Sequence, residues 1–231
     1  MIEDSLKNRK HVVEYDSEVI PTKSEIEKIL RIGYSLVTSK QKGYPYQTFV
    51  LGPNADRSIK LWNLCEGNKT TTDMNRLGKA GKAYRSNPGL YHIYSAPYTL
   101  ITTPRIAPPN EFHRKAFERS NSYWELDKVN HVNHANRESC GIEIGMLAKT
   151  ITGAALDKGW DTSYNVCFPH NIKAWKDWPF LPFTPALIQT IGKGKKYKWQ
   201  TLSPEESKKD TDAPFEDIFK FLDKDNNEYS I

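Results

Sequence analysis

The chain has 231 residues and a mass of 26.6 kDa, with 38% apolar residues, 26% charged residues and a mean hydropathy of -0.68. No stretch nears the roughly 20 apolar residues of a membrane-spanning helix, and 6 Trp, 12 Tyr and 9 Phe are too many for a chain without a core. A net charge of +5 permits an anionic ligand or a nucleic-acid face but requires neither.

The start, Met1 to Lys7, carries acids and no apolar h-region, so no secretory signal is expected. Ser24 stands three residues before Glu27, a capping-box spacing, and Ile26, Ile29, Leu30, Leu36 and Val37 follow at helical intervals. This pattern predicts a helix over 23–37. A polar loop leads through Tyr44-Pro45-Tyr46 to a buried strand at Thr48–Leu51, closed by Gly52-Pro53-Asn54. Between 55 and 94 the signal weakens, with a short strand over Ile59–Leu64 and a helix over 71–84 as the expectations. Ser95–Thr102 reads as another buried strand, and the polar segment 105–135 as holding some helix.

The strongest pattern is a helix over 138–158. Ile144, Leu147, Ala148, Ile151, Ala154 and Ala155 make one face, and Ile142, Met146 and Leu156 extend it almost all round, which marks a central buried helix. Gly159 stands where a C′ glycine belongs. Trp160–Phe168 reads as a loop leading into a strand, Ala186–Ile191 as a further strand, and Gly192–Lys196 as a basic turn. Ser203-Pro204-Glu205-Glu206 has the chemistry of a helix start, and Pro214–Phe219 closes the chain. Mixed helices and strands without repeats imply one α/β-type or α+β domain over 1–231.

Several chemistries lack their signatures. His131, His134 and Cys140, or Cys167 with His170, match no zinc spacing, so no metal is expected. There is no G-x-S-x-G elbow, no G-x-G-x-x-G after a strand and no P-loop. Cys65, Cys140 and Cys167 are too few and scattered for a disulfide framework, which makes the cytoplasm the expected compartment. The cluster Gly192–Lys198 reads first as a solvated lysine-rich edge and only secondarily as a nucleic-acid contact.

A distributed set of features points elsewhere. Asn8-Arg9-Lys10-His11-Val12-Val13-Glu14-Tyr15-Asp16, followed by Pro21 and the first helix, resembles the opening of the nitroreductase-like FMN-dependent oxidoreductases. Arg9, Lys10, His11 and Tyr15 stand at the positions of that family's R-[RH]-S-x-[RK]-x-[FY] run. Ser39-Lys40-Gln41-Lys42-Gly43-Tyr44-Pro45-Tyr46 is similar to the family's loop before a buried strand, with Lys42 and Tyr44 in place of its Asn and Gln. The 138–158 helix and the loop up to Phe168 make a third match, and Pro214-Phe215-Glu216-Asp217, preceded by Lys208 and Lys209, a fourth.

The resemblance implies an α+β fold with a central mixed sheet flanked by helices and one buried central helix. It also implies a homodimer with FMN at the subunit interface, and NAD(P)H as electron donor. A nitroaromatic or quinone would serve as acceptor, and no side chain would act as nucleophile. Arg9 and Lys10, beside His11, would hold the phosphate with Lys208 or Lys209, while Pro45, Tyr46 and the loop Ser163-Tyr164-Asn165 would flank the ring. A phosphate of nearly two charges suits convergent cations. The ring wants a backbone donor near N5, which Ser163–Val166 could supply, and a cation near N1 and O2. The family's usual base is replaced by Val13, with Lys40 or Lys42 as substitutes. A specialised flavin-dependent dehalogenase or dehydrogenase, or a non-catalytic flavin- or nucleic-acid-binding protein, stays open beside this reading.

Overall fold

The computed structural model describes residues 9–39, 42–65, 91–106, 110–120 and 137–197. In chain order these form β1 (Val12–Tyr15), α1 (Lys23–Ser35), β2 (Tyr46–Leu51), α2 over 55–65, α3 (Tyr91–Ser95), β3 (Tyr98–Pro104) and α4 (Glu111–Ser120). There follow α5 (Arg137–Asp157), β4 (Asp161–Asn165), a 3-10 turn (Ile172–Trp175), β5 (Leu187–Gly192) and β6 (Gly194–Tyr197). The expected helices over 71–84 and from Ser203, the candidate ligands Lys208 and Lys209, His131, His134 and Pro214–Phe219 lie outside the described residues.

The expected α+β architecture is present. One sheet has the order β2-β3-β5-β4, and every ladder among its described strands is antiparallel. β1 and β6 pair separately, also antiparallel. Side chains alternate across a strand, so the sheet feeds two cores. Leu100 and Ile191 join Ile26, Ile29, Ile144, Leu147 and Ile151 under α1 and α5. Ile101 and Ile188 face the other way, with Leu61, Cys65, Ile93, Phe168, Trp175 and Trp178.

α1 starts two residues before the expected cap. Thr22, not Ser24, accepts from Glu25 N at 3.2 Å, while Thr22 N donates to Glu25 Oε2 at 2.8 Å. Both spacings satisfy the capping pattern, and the chain uses the one that follows Pro21 directly. α1 then lies so close to α5 that a Cβ on Gly33 would fall 2.6 Å from Ile151 Cγ1 and 3.0 Å from its Cα.

The expected strand Ile59–Leu64 is helical instead, part of α2. Asn54 caps it by accepting from Arg57 N at 2.9 Å. Leu61 and Cys65, four residues apart, bury against Ile93 and Trp175, and a short apolar run of this kind has no period of its own to separate strand from helix.

α5 is buried along Ile144, Leu147, Ala148, Ile151, Ala154 and Ala155, as its pattern predicts. Its first half still exposes Ile142 (66%) and Met146 (45%). The helix ends at Gly159, which has φ +79. Trp160 N donates to Ala155 O and Gly159 N to Leu156 O, both at 2.9 Å, the paired bonds of a Schellman stop. Beyond it, Trp160–Phe168 is not an open loop, because Asp161–Asn165 forms β4 and pairs with β5. No described helix is long and apolar enough to cross a membrane.

Candidate functional site

β1 and its lead-in run beside β4 and bring distant residues together. The Arg9 guanidinium lies 4.7 Å from the centre of the Tyr164 ring, a cation–π contact. Arg9 Nε is buried and has no hydrogen-bond partner among the described residues. Lys10 extends into solvent, its Nζ 5.2 Å from the Tyr197 ring centre. His11 meets His92 edge to face, with ring centres 6.1 Å apart.

His92 opens a buried polar cluster that no sequence motif announces. It is fully buried, and its Nδ1 lies 3.1 Å from Thr190 Oγ1. Tyr15 Oη reaches the same hydroxyl at 3.0 Å and donates to Thr190 O at 3.2 Å. Thr190 Oγ1 in turn donates to Ser163 O at 3.4 Å. A hydroxyl has one proton to give, so Thr190 Oγ1 cannot donate to Tyr15, His92 and Ser163 O at once, and the second ring nitrogen of His92, Nε2, takes no part in the cluster. That Nε2 is buried without a partner among the described residues, as is Ser163 Oγ. Burial first, then the neighbouring His11, pushes the His92 pKa down to about 3, so the imidazole is neutral in ordinary buffers. Burial drives the Tyr15 phenol far above its usual range.

The three expected ring-flanking residues of β4 have separate roles. Ser163 pairs with Thr190 and faces the polar cluster. Tyr164 turns to the other face, donates to Ala148 O at 3.1 Å and bonds Thr152 Oγ1, so it ties β4 to α5. Burial raises its pKa, against the opposing pull of Thr152 and Arg9. Asn165 is spent on the strand end, accepting from Cys167 N at 2.9 Å. The segment Ser163–Val166, expected as a loop, is therefore strand through Asn165, stiffened by Gln189 and Thr190 of β5. β4 is an edge strand of its sheet, and such an edge still offers outward N–H groups.

Pro45 and Tyr46 part company. Pro45 O accepts from Arg105 N at 2.9 Å and Cys140 Sγ at 3.3 Å. Its ring lines a cavity of about 320 Å³ with Pro104, Cys140, Ile144, His170 and Pro185. Tyr46, the first residue of β2, does not line this cavity and packs in the core under α1 and α5, together with Cys140 and Ile144.

The residues expected near N1 and in the basic turn are placed otherwise. Val13 is buried, Lys40 lies outside the described residues, and Lys42 is exposed with a left-handed backbone, φ 54. In the basic segment after β5, Lys195 and Lys196 pair with Glu14, and Lys193 Nζ donates to Gly159 O at 3.2 Å. Within Gly194–Tyr197 the chain is strand β6 rather than a turn. These lysines serve the β1–β6 ladder and the end of α5.

No protein-family model matches the chain, and no curated protein matches it in sequence. Solved structures do. The nitroreductase-type protein YdfN of Bacillus subtilis superposes with a TM-score of 0.62 at 14% identity, over 95% of this chain and 98% of that one. A nitroreductase-type protein of Exiguobacterium sibiricum, solved in complex with FMN, gives 0.62 at 14% identity over 96% and 97%. Iodotyrosine deiodinase, bound to FMN and 3-iodo-L-tyrosine, gives 0.58 at 17% identity over 86% and 92%. The chain has the nitroreductase-like fold.

Proposed function

We propose that this chain is an FMN-dependent oxidoreductase that passes electrons from NAD(P)H to a small organic acceptor of the nitroaromatic or quinone kind. The observation that carries this reading is Arg9, set against the Tyr164 ring where the lead-in to β1 meets β4, with its Nε buried and without a partner among the described residues. A buried cationic donor without an acceptor costs stability unless a ligand supplies one, and an anionic phosphate does so. The residues present therefore fit the cofactor with which relatives of this fold have been solved.

When bound, FMN supplies the two-electron carriage that no side chain here provides. The chain's part is to bind and orient. Arg9 and Lys10, beside His11, would hold the phosphate, and outward N–H groups of β4 would serve the ring. Pro45 and Tyr46 would flank it from the β2 side. The cavity beside Pro45 has apolar, proline-rich walls that exclude water and admit a flat neutral acceptor. No side chain acts as nucleophile. Exposed Ile142 and Met146 on α5 supply an apolar stripe for a second copy of the chain, which supports a homodimer.

The absorption spectrum of the purified protein tests the assignment: yellow material that releases FMN on denaturation supports it. Colourless protein that FMN cannot reconstitute would overturn it. A charged hydrogen bond is worth ~1.5–3 kcal/mol, so Arg9→Ala should weaken FMN binding by about one to two decades. Light scattering reads the dimer directly, and a stable monomer at micromolar concentration would refute the shared site. The iodotyrosine deiodinase likeness favours one rival, a specialised flavin-dependent dehalogenase. Turnover of NAD(P)H with a quinone against reductive loss of halide from a halogenated aromatic separates the two.

A further inference from the structure

A second cavity, of about 340 Å³, opens beside edge strand β2, with Tyr34, Tyr44, Tyr46, Arg105, Leu147 and Ile151 among its walls. The three tyrosines form consecutive ring pairs. Tyr34 and Tyr44 have centres 5.3 Å apart at 38°, and Tyr44 and Tyr46 are 6.2 Å apart and edge on. Arg105 is the one charged residue among the described residues of the wall. Its Nε donates to Tyr44 O at 3.1 Å and its backbone N to Pro45 O at 2.9 Å. The guanidinium is thus anchored at one end, while its two terminal nitrogens bond no protein atom among the described residues.

The backbone supporting this wall is unusual. Tyr44 has φ 44 and Lys42 φ 54, left-handed values that non-glycine residues keep only where the surroundings over-determine them. Here Ser39 Oγ accepts from Tyr44 N at 2.7 Å, Ser39 O from Lys42 N at 3.0 Å, and Lys42 O from Asn110 Nδ2 at 3.0 Å. The result sets the Tyr44 ring between Tyr34 and Tyr46, over an apolar floor.

We propose that this groove binds a planar aromatic carboxylate, with its ring against the tyrosines and its carboxylate on Arg105. A single guanidinium fork matches a carboxylate in shape and charge, whereas a phosphate dianion calls for more than one cation. A neutral arene would leave the anchored fork unused, and an aliphatic acid would leave the aromatic walls unused. Burial and the nearby Glu143 push the Tyr46 phenol pKa up, so the phenol itself stays neutral; Glu143, which is not among the lining residues of the groove, is the acid closest to the ring wall that Arg105 has to outweigh. The site needs neither Arg9 nor β4, and Tyr46 is the one residue it shares with the flavin reading.

Calorimetric titration of the full-length protein as purified, with its flavin content recorded by absorbance, tests this with 2-naphthoate, 2-naphthamide and cyclohexanecarboxylate. The aromatic acid should bind saturably, one per chain, and roughly tenfold or more tighter than either comparison ligand. Arg105→Met should abolish the preference of acid over amide, and Arg105→Lys should keep part of it. Tyr34→Ala, at a half-exposed position where folding does not depend on the ring, should weaken both aromatic ligands alike. Equal binding of acid and amide, absence of binding by either, or a preference that survives in folded Arg105→Met would overturn the inference. Loss of naphthoate binding in protein that remains yellow would overturn this site alone and leave the flavin reading standing.

Discussion

Replacing His92 with Gln should change how the fold responds to acid. His92 is fully buried with its pKa pushed down to about 3, by desolvation first and His11 second. In the unfolded chain the imidazole returns to about 6.5. A base whose folded pKa lies below its unfolded one takes up its proton on unfolding. Stability is therefore undiminished above about pH 6.5 and falls as pH drops toward the folded value, by about 1.4 kcal/mol per unit. At about pH 4.5 the loss from this one group is roughly 2.7 kcal/mol, a large share of the ~5–15 kcal/mol that holds a domain folded. Gln preserves an N–H for Thr190 but cannot titrate. Urea midpoints measured from about pH 7.5 to 4.5, at constant m-value, should show the wild type losing stability faster than His92→Gln. Parallel losses in the two proteins would refute the reasoning, whatever their absolute stabilities.

Two further substitutions test the packing that carries the sheet. Gly33→Ala should destabilise by about 1–2 kcal/mol, because strain against Ile151 backbone exceeds the gain in helix propensity. Gly145→Ala, at a helical position with nothing within 4 Å of its Cβ, should instead stabilise by up to about 1 kcal/mol; the same sign for both in chemical denaturation would count against the α1–α5 packing. Thr22→Ala should cost about 1 kcal/mol by removing the cap, while Ser24→Ala should be near neutral, a contrast read by thermal melting.

Some of this molecule is written locally. The period of apolar residues marks α1 and α5, Gly159 marks the stop of α5, and alternating or continuous apolar runs mark β2, β3 and β5. These signals survive because each depends on residues within one or two turns of one another. The order of the Arg9 run, the Pro45 loop and the long helix likewise pointed to the nitroreductase-like fold. The cap of α1 was legible as a type but not as a position, since Thr22–Glu25 and Ser24–Glu27 offer the same spacing.

Other features have no local signature. A strand over Ile59–Leu64 and a helix through the same residues bury the same apolar side chains, and only the partners Ile93 and Trp175 decide for the helix. β4 is polar enough to read as loop until β5 covers it. The cluster of Tyr15, His92, Ser163 and Thr190 draws on four distant parts of the chain, each ordinary alone. Its unpaired atoms and the suppressed basicity of His92 exist only after burial removes water from them all together. Pro45 and Tyr46 are adjacent in sequence, yet one lines the cavity beside Cys140 and Ile144 and the other the cavity beside Leu147 and Ile151, a division that exists only once α5 has packed beside β2.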